Sequence, residues 1–195
     1  GTSWTLVGQA GFSSTQIYTG LDFRISNMGE LYVAYDGVPG ITVMKYTNGA
    51  WANVGAANMS NGSAADPSLA FDSTDVPYVA YSYDANIPIS AEMQVQKFDG
   101  INWTMVGSGV ATTSNAAEIP NYPDLEFDGN GNLYIAYAIG AIGGGGGTQF
   151  QEFDGVNWNA RGTGFMGAGR NQQLIFDSNQ KPYIFSYTNY GNNND

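Results

Sequence analysis

The four tryptophans of the chain, Trp4, Trp51, Trp103 and Trp158, each open the same short pattern, W-x-x-x-G: WTLVG, WANVG, WTMVG and WNARG. They lie 47, 52 and 55 residues apart. Between them the same segments return in the same order. A long polar stretch leads to L-x-F at 21–23, 69–71, 125–127 and 174–176. A short turn follows, then YVAY at 32–35 and 78–81, YIAY at 134–137 and YIFS at 183–186. Tyr46, Phe98 and Phe153 close the next segment, each five residues before a Trp. Recurrence at this period marks one supersecondary unit copied along a chain, because a single copy cannot bury its own apolar face.

Each unit holds four short β-branched or aromatic segments separated by turn residues. Four antiparallel strands in about 40–50 residues define a β-propeller blade. The expected fold is therefore all-β, a β-propeller of about four four-stranded antiparallel blades, the last incomplete. It forms one domain over 1–195, with units near 1–49, 50–100, 101–155 and 156–195. L-x-F is the inner strand, YVAY the second, V-x-K-F the third and W-x-x-V-G the outer one. DSTDVP, DGNGNL and DSNQKP link the first two strands, and TNGA, DGIN and DGVN the last two. Asp, Asn and Gly suit these tight turns because they bond their own backbone or accept positive φ. Asp72, Asp128 and Asp177 follow the inner-strand Phe and are read as turn formers rather than catalytic groups. The first unit has Arg24 in that slot, which implies a turn two residues longer and puts Arg24 on the tight-turn face.

Composition narrows the function classes. Seventeen acidic against six basic residues give a net charge of −11, which repels nucleic-acid backbones and anionic membranes. No apolar run nears the roughly 20 residues of a membrane span. There is no Cys and no His, so disulfides, the commonest metal ligand and the commonest general base are all missing. The stretch DGNGN at 128–132 has Leu133 where a calcium loop needs Gly and Ile139 where it needs an acid, so that pattern fails. No metal and no cofactor are expected. Gly143 to Gly147 read as a bland flexible loop, since no strand–G-x-G-x-x-G–helix context surrounds them.

In a four-stranded meander the two tight links share one face, and the second-to-third and blade-to-blade connections share the other. The first set repeats; the second is long and different in each unit. Binding is therefore expected on the variable face. Tyr18, Tyr83 and Tyr122 on its loops accompany Asp66, Asp84, Glu118, Asn121 and Arg170. Aromatic faces beside amides and carboxylates suit sugars, through CH–π contact and paired hydroxyl bonds. The competing role for these tyrosines is packing loops onto the propeller. Asp66, Asp84, Glu92 and Glu118 also carry the carboxylates that glycoside cleavage needs, a chemistry open to a chain without His.

The segments W-x-x-V-G, Ser68–Ser73, Pro77–Tyr81 and Val95–Trp103 resemble the blade repeats of secreted or surface-anchored bacterial β-propeller proteins, and the resemblance runs along essentially the whole chain. The D-G-x-x-W hairpin is also similar to fucose-binding propeller lectins, whose sugar-binding Arg, Glu and Trp set has no residue-by-residue counterpart here. The resemblance implies an exported, extracellular or cell-surface protein without enzymatic activity, binding a glycan or a cell-surface protein through the variable face. A self-assembling surface module and an Asp/Glu-dependent glycoside hydrolase are the second and third expectations. The strand count does not close: the fourth unit lacks a third strand after Tyr187. The chain as part of a larger propeller, an irregular four-bladed ring completed by Trp4–Gly8, and self-association through open edge strands are the three solutions.

Overall fold

Each repeat folds as an antiparallel meander. The computed structural model describes residues 3–13, 16–18, 20–84, 91–113, 118–141, 146–162 and 170–187. β1 (Leu21–Ile25), β2 (Leu31–Asp36), β3 (Ile41–Thr47) and β4 (Ala50–Asn53) form the first sheet, in that order. β5 (Ala64–Phe71), β6 (Pro77–Asp84), β7 (Ala91–Phe98) and β8 (Trp103–Met105) form the second, where β9 (Ala111–Thr113) also pairs with β7. β10 (Glu118–Phe127), β11 (Leu133–Ala141), β12 (Gly146–Phe153) and β13 (Trp158–Ala160) form the third. β14 (Arg170–Phe176) and β15 (Pro182–Tyr187) are the described strands of the fourth. The protein is an all-β propeller. The tail after Tyr187 lies outside the described residues.

The core runs between blades. The second strand of each full blade is packed on both faces, so Tyr35, Tyr81 and Tyr137 are at most 1% exposed. Their hydroxyls stay satisfied: Gln96 Nε2 donates to Tyr81 and Gln151 Nε2 to Tyr137. One cluster, with Val43, Leu69 and Val79, joins the first two blades; another, with Val95, Leu125 and Ile135, joins the second and third.

Three kinds of contact join the blades, and all three occur together between the first and second and between the second and third. Trp51, Trp103 and Trp158 donate Nε1–H to the carbonyls of Val7, Val54 and Val106, at 3.1, 2.8 and 2.9 Å. The glycine after each of these valines has positive φ, and a Cβ added to Gly8, Gly55 or Gly107 would stand about 3 Å from the aromatic rings of the next blade. That close approach is what W-x-x-x-G encodes. Next, the second-strand Tyr meets the inner-strand Phe of the following blade: Tyr32–Phe71, Tyr78–Phe127 and Tyr134–Phe176, with ring centroids 4.8, 5.1 and 5.0 Å apart. Last, an inner-strand side chain accepts a backbone N–H from the next inner strand. Asp22 takes Leu69, Ser68 takes Leu125 and Asp124 takes Leu174.

The tight turns are built by their aspartates. Asp72 Oδ1 accepts the N–H groups of Thr74 and Val76, Asp128 those of Asn130 and Asn132, and Asp177 those of Asn179 and Lys181.

Register corrects several expectations. Phe23 faces Val33 as Leu69 faces Val79, so the first unit's equivalent of L-x-F is Phe23-Arg24-Ile25. Its first turn starts at Ser26, whose N–H donates to Glu30 just as Asp72 donates to Val76, and it is no longer than the others. Arg24 is therefore an inner-strand residue, not part of the tight-turn face. The inner strands also begin earlier than L-x-F, so Asp66, Glu118, Asn121, Tyr122 and Arg170 lie on strands rather than loops. A bulge with positive φ at Asp66, Tyr122 and Asn171 breaks the alternation that would have announced them. Gly146 and Gly147 pair with Gly140 and Ile139 in a ladder; 143–145 lie outside the described residues.

Candidate active site

The inner strands β1, β5, β10 and β14 surround an axial cavity of about 690 Å³. It opens at their N-terminal ends, where the long connections enter. The bulges set the rim: each places two residues opposite one on the neighbouring strand and turns the strand's start toward the axis. Asp66 and Tyr122 stand there, and Gly20 forms the first blade's wall, so close to the Asp66 backbone that a Cβ would lie 2.9 Å from its Cα. Asp36, itself 2% exposed, accepts the N–H groups of Tyr18 and Gly20 and fixes that wall.

One layer deeper, equivalent inner-strand positions carry Asp22, Ser68, Asp124 and Gln173, and the next inward-facing layer carries Arg24, Ala70, Glu126 and Ile175. Arg24 binds three carboxylates: Nε to Asp22 at 3.1 Å, Nη2 to Asp124 at 3.2 Å and Nη1 to Glu126 at 2.7 Å. Burial pulls the guanidinium down, and the three carboxylates outweigh it and hold it well above its ordinary value. Burial pushes Asp124 up to about 6, against the Leu174 N–H and Arg24, and Glu126 up to about 7, against Arg24. Burial also raises Asp66, opposed by a backbone hydrogen bond from Tyr122. Desolvation and a shared cation thus spread the protonation behaviour of neighbouring carboxyls, the property acid–base chemistry needs.

The carboxylates differ in what they leave open. Asp124 gives both oxygens to Arg24, Ser68 and Leu174. Glu126 sits below the cavity and secures Arg24. Asp22 lines the cavity, and its Oδ2 accepts from Arg24 and from the Leu69 N–H.

Of the residues expected from the sequence, Asp66 and Tyr122 come together here. Tyr18 is exposed and lines a separate depression of about 510 Å³ beside Asp36 and Gly62. Tyr83 packs over Gly62, and Asn121 sits beside Gly140. Asp84, Glu118 and Arg170 lie on β6, β10 and β14, with side chains outside the described residues. Asp22, Arg24, Asp124 and Glu126 were missed. Their signal was a pair of charged residues two positions apart, D-x-R at 22–24 and D-x-E at 124–126, and it needed the corrected register of β1 to be seen.

No family model matches the chain, and no curated protein aligns with it. Solved structures do. An α-L-arabinanase from Penicillium chrysogenum, complexed with arabinobiose, superposes with a TM-score of 0.62 at 15% identity, over 91% of this chain and 59% of its own. A thermostable family-43 glycoside hydrolase gives 0.58 at 14%, over 84% and 63%. An endo-arabinase from Bacteroides thetaiotaomicron gives 0.54 at 13%, over 91% and 70%. The chain thus spans 59 to 70% of the lengths of these proteins, and at such identities the likeness defines the fold: a β-propeller of the kind found in these glycoside hydrolases. A fucose lectin from Kordia zhangzhouensis aligns with a TM-score of 0.47 at 13% identity, over 74% of this chain and 99% of its own, which lends the lectin analogy no weight.

These matches overturn the expectation of a non-enzymatic binding or assembly module. Solved proteins that share the fold at TM-scores above 0.5 include ones named as arabinanases, an arabinofuranosidase, a xylanase and a family-43 hydrolase. The variable-loop tyrosines that motivated the binding module are scattered, whereas carboxylates converge on the axis.

Proposed function

We propose that the chain carries a glycoside-hydrolase site in its axial cavity, acting on arabinose- or xylose-containing glycans. The observation behind this is the set of carboxylates at the head of the propeller axis, with Arg24 among them. Cleaving a glycosidic bond takes two carboxyl groups: one protonates the departing oxygen and the other activates water or attacks the anomeric carbon. Asp66 suits the acid, because burial favours its protonated form. Asp22 suits the second role, because it lines the cavity while Arg24 and the Leu69 N–H hold its Oδ2. Asp124 and Glu126 orient the guanidinium from the other side. Tyr122 offers an aromatic side chain at the rim for a sugar face. Several proteins sharing the fold are named for action on arabinan, arabinofuranosides and xylan, which supports this substrate class. Release of reducing sugar from arabinan and xylan, and of nitrophenol from aryl arabinofuranosides and xylosides, tests it; no turnover of any of these substrates removes it.

A further inference from the structure

We infer that the axial cavity continues, between the first and second blades, into the depression beside Tyr18, and that the two hold successive residues of one uncharged glycan chain, a placement that rests on the glycoside-hydrolase reading of the axial site for the identity of the glycan. The mouth of the axial cavity is built from four equivalent positions. Asp22, Ser68, Asp124 and Gln173 pair with Ala34, Ala80, Ala136 and Phe185 of their own blades. Two residues before them stand Gly20, Asp66, Tyr122 and Asn171, all lining the cavity. Asp66, Tyr122 and Asn171 take φ values of +54°, +50° and +50°, a costly conformation for a residue with a Cβ. Strain kept at three equivalent positions of one cavity marks a functional rim, which carries a carboxyl, a phenol and an amide. The fourth position, Gly20, brings no side chain, and a Cβ there would meet the Asp66 Cα at 2.9 Å and Pro67 at 3.0 Å. The rim is therefore lowest over the first blade.

The depression lies just beyond that low point. Ala65 lines the depression, and Asp66, the next residue, lines the axial cavity. On the other side Tyr18 lines the depression and Gly20 the cavity, two residues apart and so at most about 7 Å along the chain. Both are tied to one buried residue. The N–H groups of Tyr18 and Gly20 donate to Asp36 Oδ1 and Oδ2, each at 3.1 Å, and the Gly20 carbonyl accepts the Asp36 N–H at 3.1 Å. The backbone of Tyr18 is thus fixed relative to the axial cavity before any ligand arrives, which lowers the ordering cost of binding.

The chemistry of the depression selects its occupant. Tyr18 is 59% exposed, so its ring is not spent on packing. Small residues stand around it, Gly37, Gly62, Ser63 and Ala64 among them, and leave a volume of about 510 Å³. The lining holds no Lys or Arg, and its one acid, Asp36, is buried with an N–H on each oxygen. Such a surface gives a phosphate or a carboxylate no counter-charge. To an uncharged sugar ring it gives an aromatic face and the Ser63 hydroxyl. Continuity with the axial cavity makes that sugar the neighbour, in the same chain, of the one held at the axis. The protein thereby favours oligosaccharides over glycosides of a single sugar.

The test is calorimetric titration of the full chain carrying Asp22→Ser, so that bound sugar is not consumed, with arabinose, arabinobiose and arabinotriose and with the matching xylose series. Affinity rises from the single sugar to the trisaccharide, and a stacked aromatic face contributes about 10-fold of that rise. Tyr18→Ala removes the platform, and Ser63→Trp fills the depression from an exposed position. Each, added to Asp22→Ser, lowers affinity for the trisaccharide by about 10-fold and flattens the dependence on length. Melting midpoints recorded alongside identify a variant that fails to fold, and the other then decides. Equal affinity for every length, no binding of any length, or a rise that survives the substitutions overturns the placement. Rates of the natural chain separate this from the catalytic reading. Turnover of arabinan by a chain whose binding ignores length removes the Tyr18 placement alone. Length-dependent binding that is lost with Tyr18, in a chain that turns over none of the glycans, removes the catalytic reading alone.

Discussion

The guanidinium of Arg24 on the first inner strand meets the carboxylate of Glu126 on the third at 2.7 Å, joining residues 102 positions apart across the propeller axis. Its partner carboxyls are unusual in direction. Glu126 and Asp124 are raised from ordinary values of 4.5 and 3.8 to about 7 and about 6, because burial outweighs the cation.

A raised carboxyl binds its proton more tightly in the folded state. Its stabilisation is complete below the unfolded value and is lost as pH rises through the folded one. Melting temperature therefore falls as pH goes from about 4.5 to about 7.5. The turn aspartates, held low mainly by backbone N–H groups at Asp154 and Asp177, act in the opposite sense and matter only below about pH 4. Glu126→Gln flattens much of the fall. A calorimetric series over this pH range decides it; a midpoint that climbs steadily toward neutral pH contradicts the assignment.

At the blade boundary, Trp103 Nε1 and the Val54 carbonyl are 2.8 Å apart, and Gly55 lies under the same ring. Trp103→Phe removes that hydrogen bond and costs about 1 kcal/mol or more. Gly55→Ala meets Phe98 at 2.9 Å, while Gly100→Ala, also at positive φ, meets nothing. Both bear the left-handed strain of about 1–2 kcal/mol, and Gly55→Ala adds about 1–3 kcal/mol of overpacking. Urea unfolding of the pair separates clash from strain; equal losses would show that the Gly55 approach is not tight.

The turn aspartates hold the backbone of the tight turns. Asp128→Ala frees the N–H groups of Asn130 and Asn132 and lowers stability by about 1–2 kcal/mol, with glycan turnover unchanged. A loss of turnover in a variant that stays folded would move the active site to the tight-turn face.

The propeller was legible because its boundary contacts are short-range patterns: a Trp, a Gly four residues on, an aromatic five residues before. The first blade's register was not. Leu21-Asp22-Phe23 imitates L-x-F, and only the pairing of Phe23 with Val33 and the turn at Ser26 reveal the offset. The inner strands were read too short because bulges at Asp66 and Tyr122 interrupt their alternation. Those two errors hid the axial site: Arg24 was assigned to the wrong face, and Asp22 and Asp124 had no visible common position. Contact among strands a hundred residues apart is set by ring geometry, which local pattern does not carry.

The central claim, that the axial carboxylates cleave glycosides, is tested most directly by Asp22→Ser. Ser68, its equivalent on the second blade, accepts the Leu125 N–H at 3.0 Å, so serine at 22 keeps the bond to Leu69 while removing the carboxylate. The measurement is the initial rate on arabinan and on an aryl arabinofuranoside, with the melting midpoint recorded alongside. The account predicts turnover by the natural chain and a loss of about 10²-fold or more in Asp22→Ser, at a midpoint within a few degrees of the natural one. A folded Asp22→Ser variant that retains the full rate contradicts it.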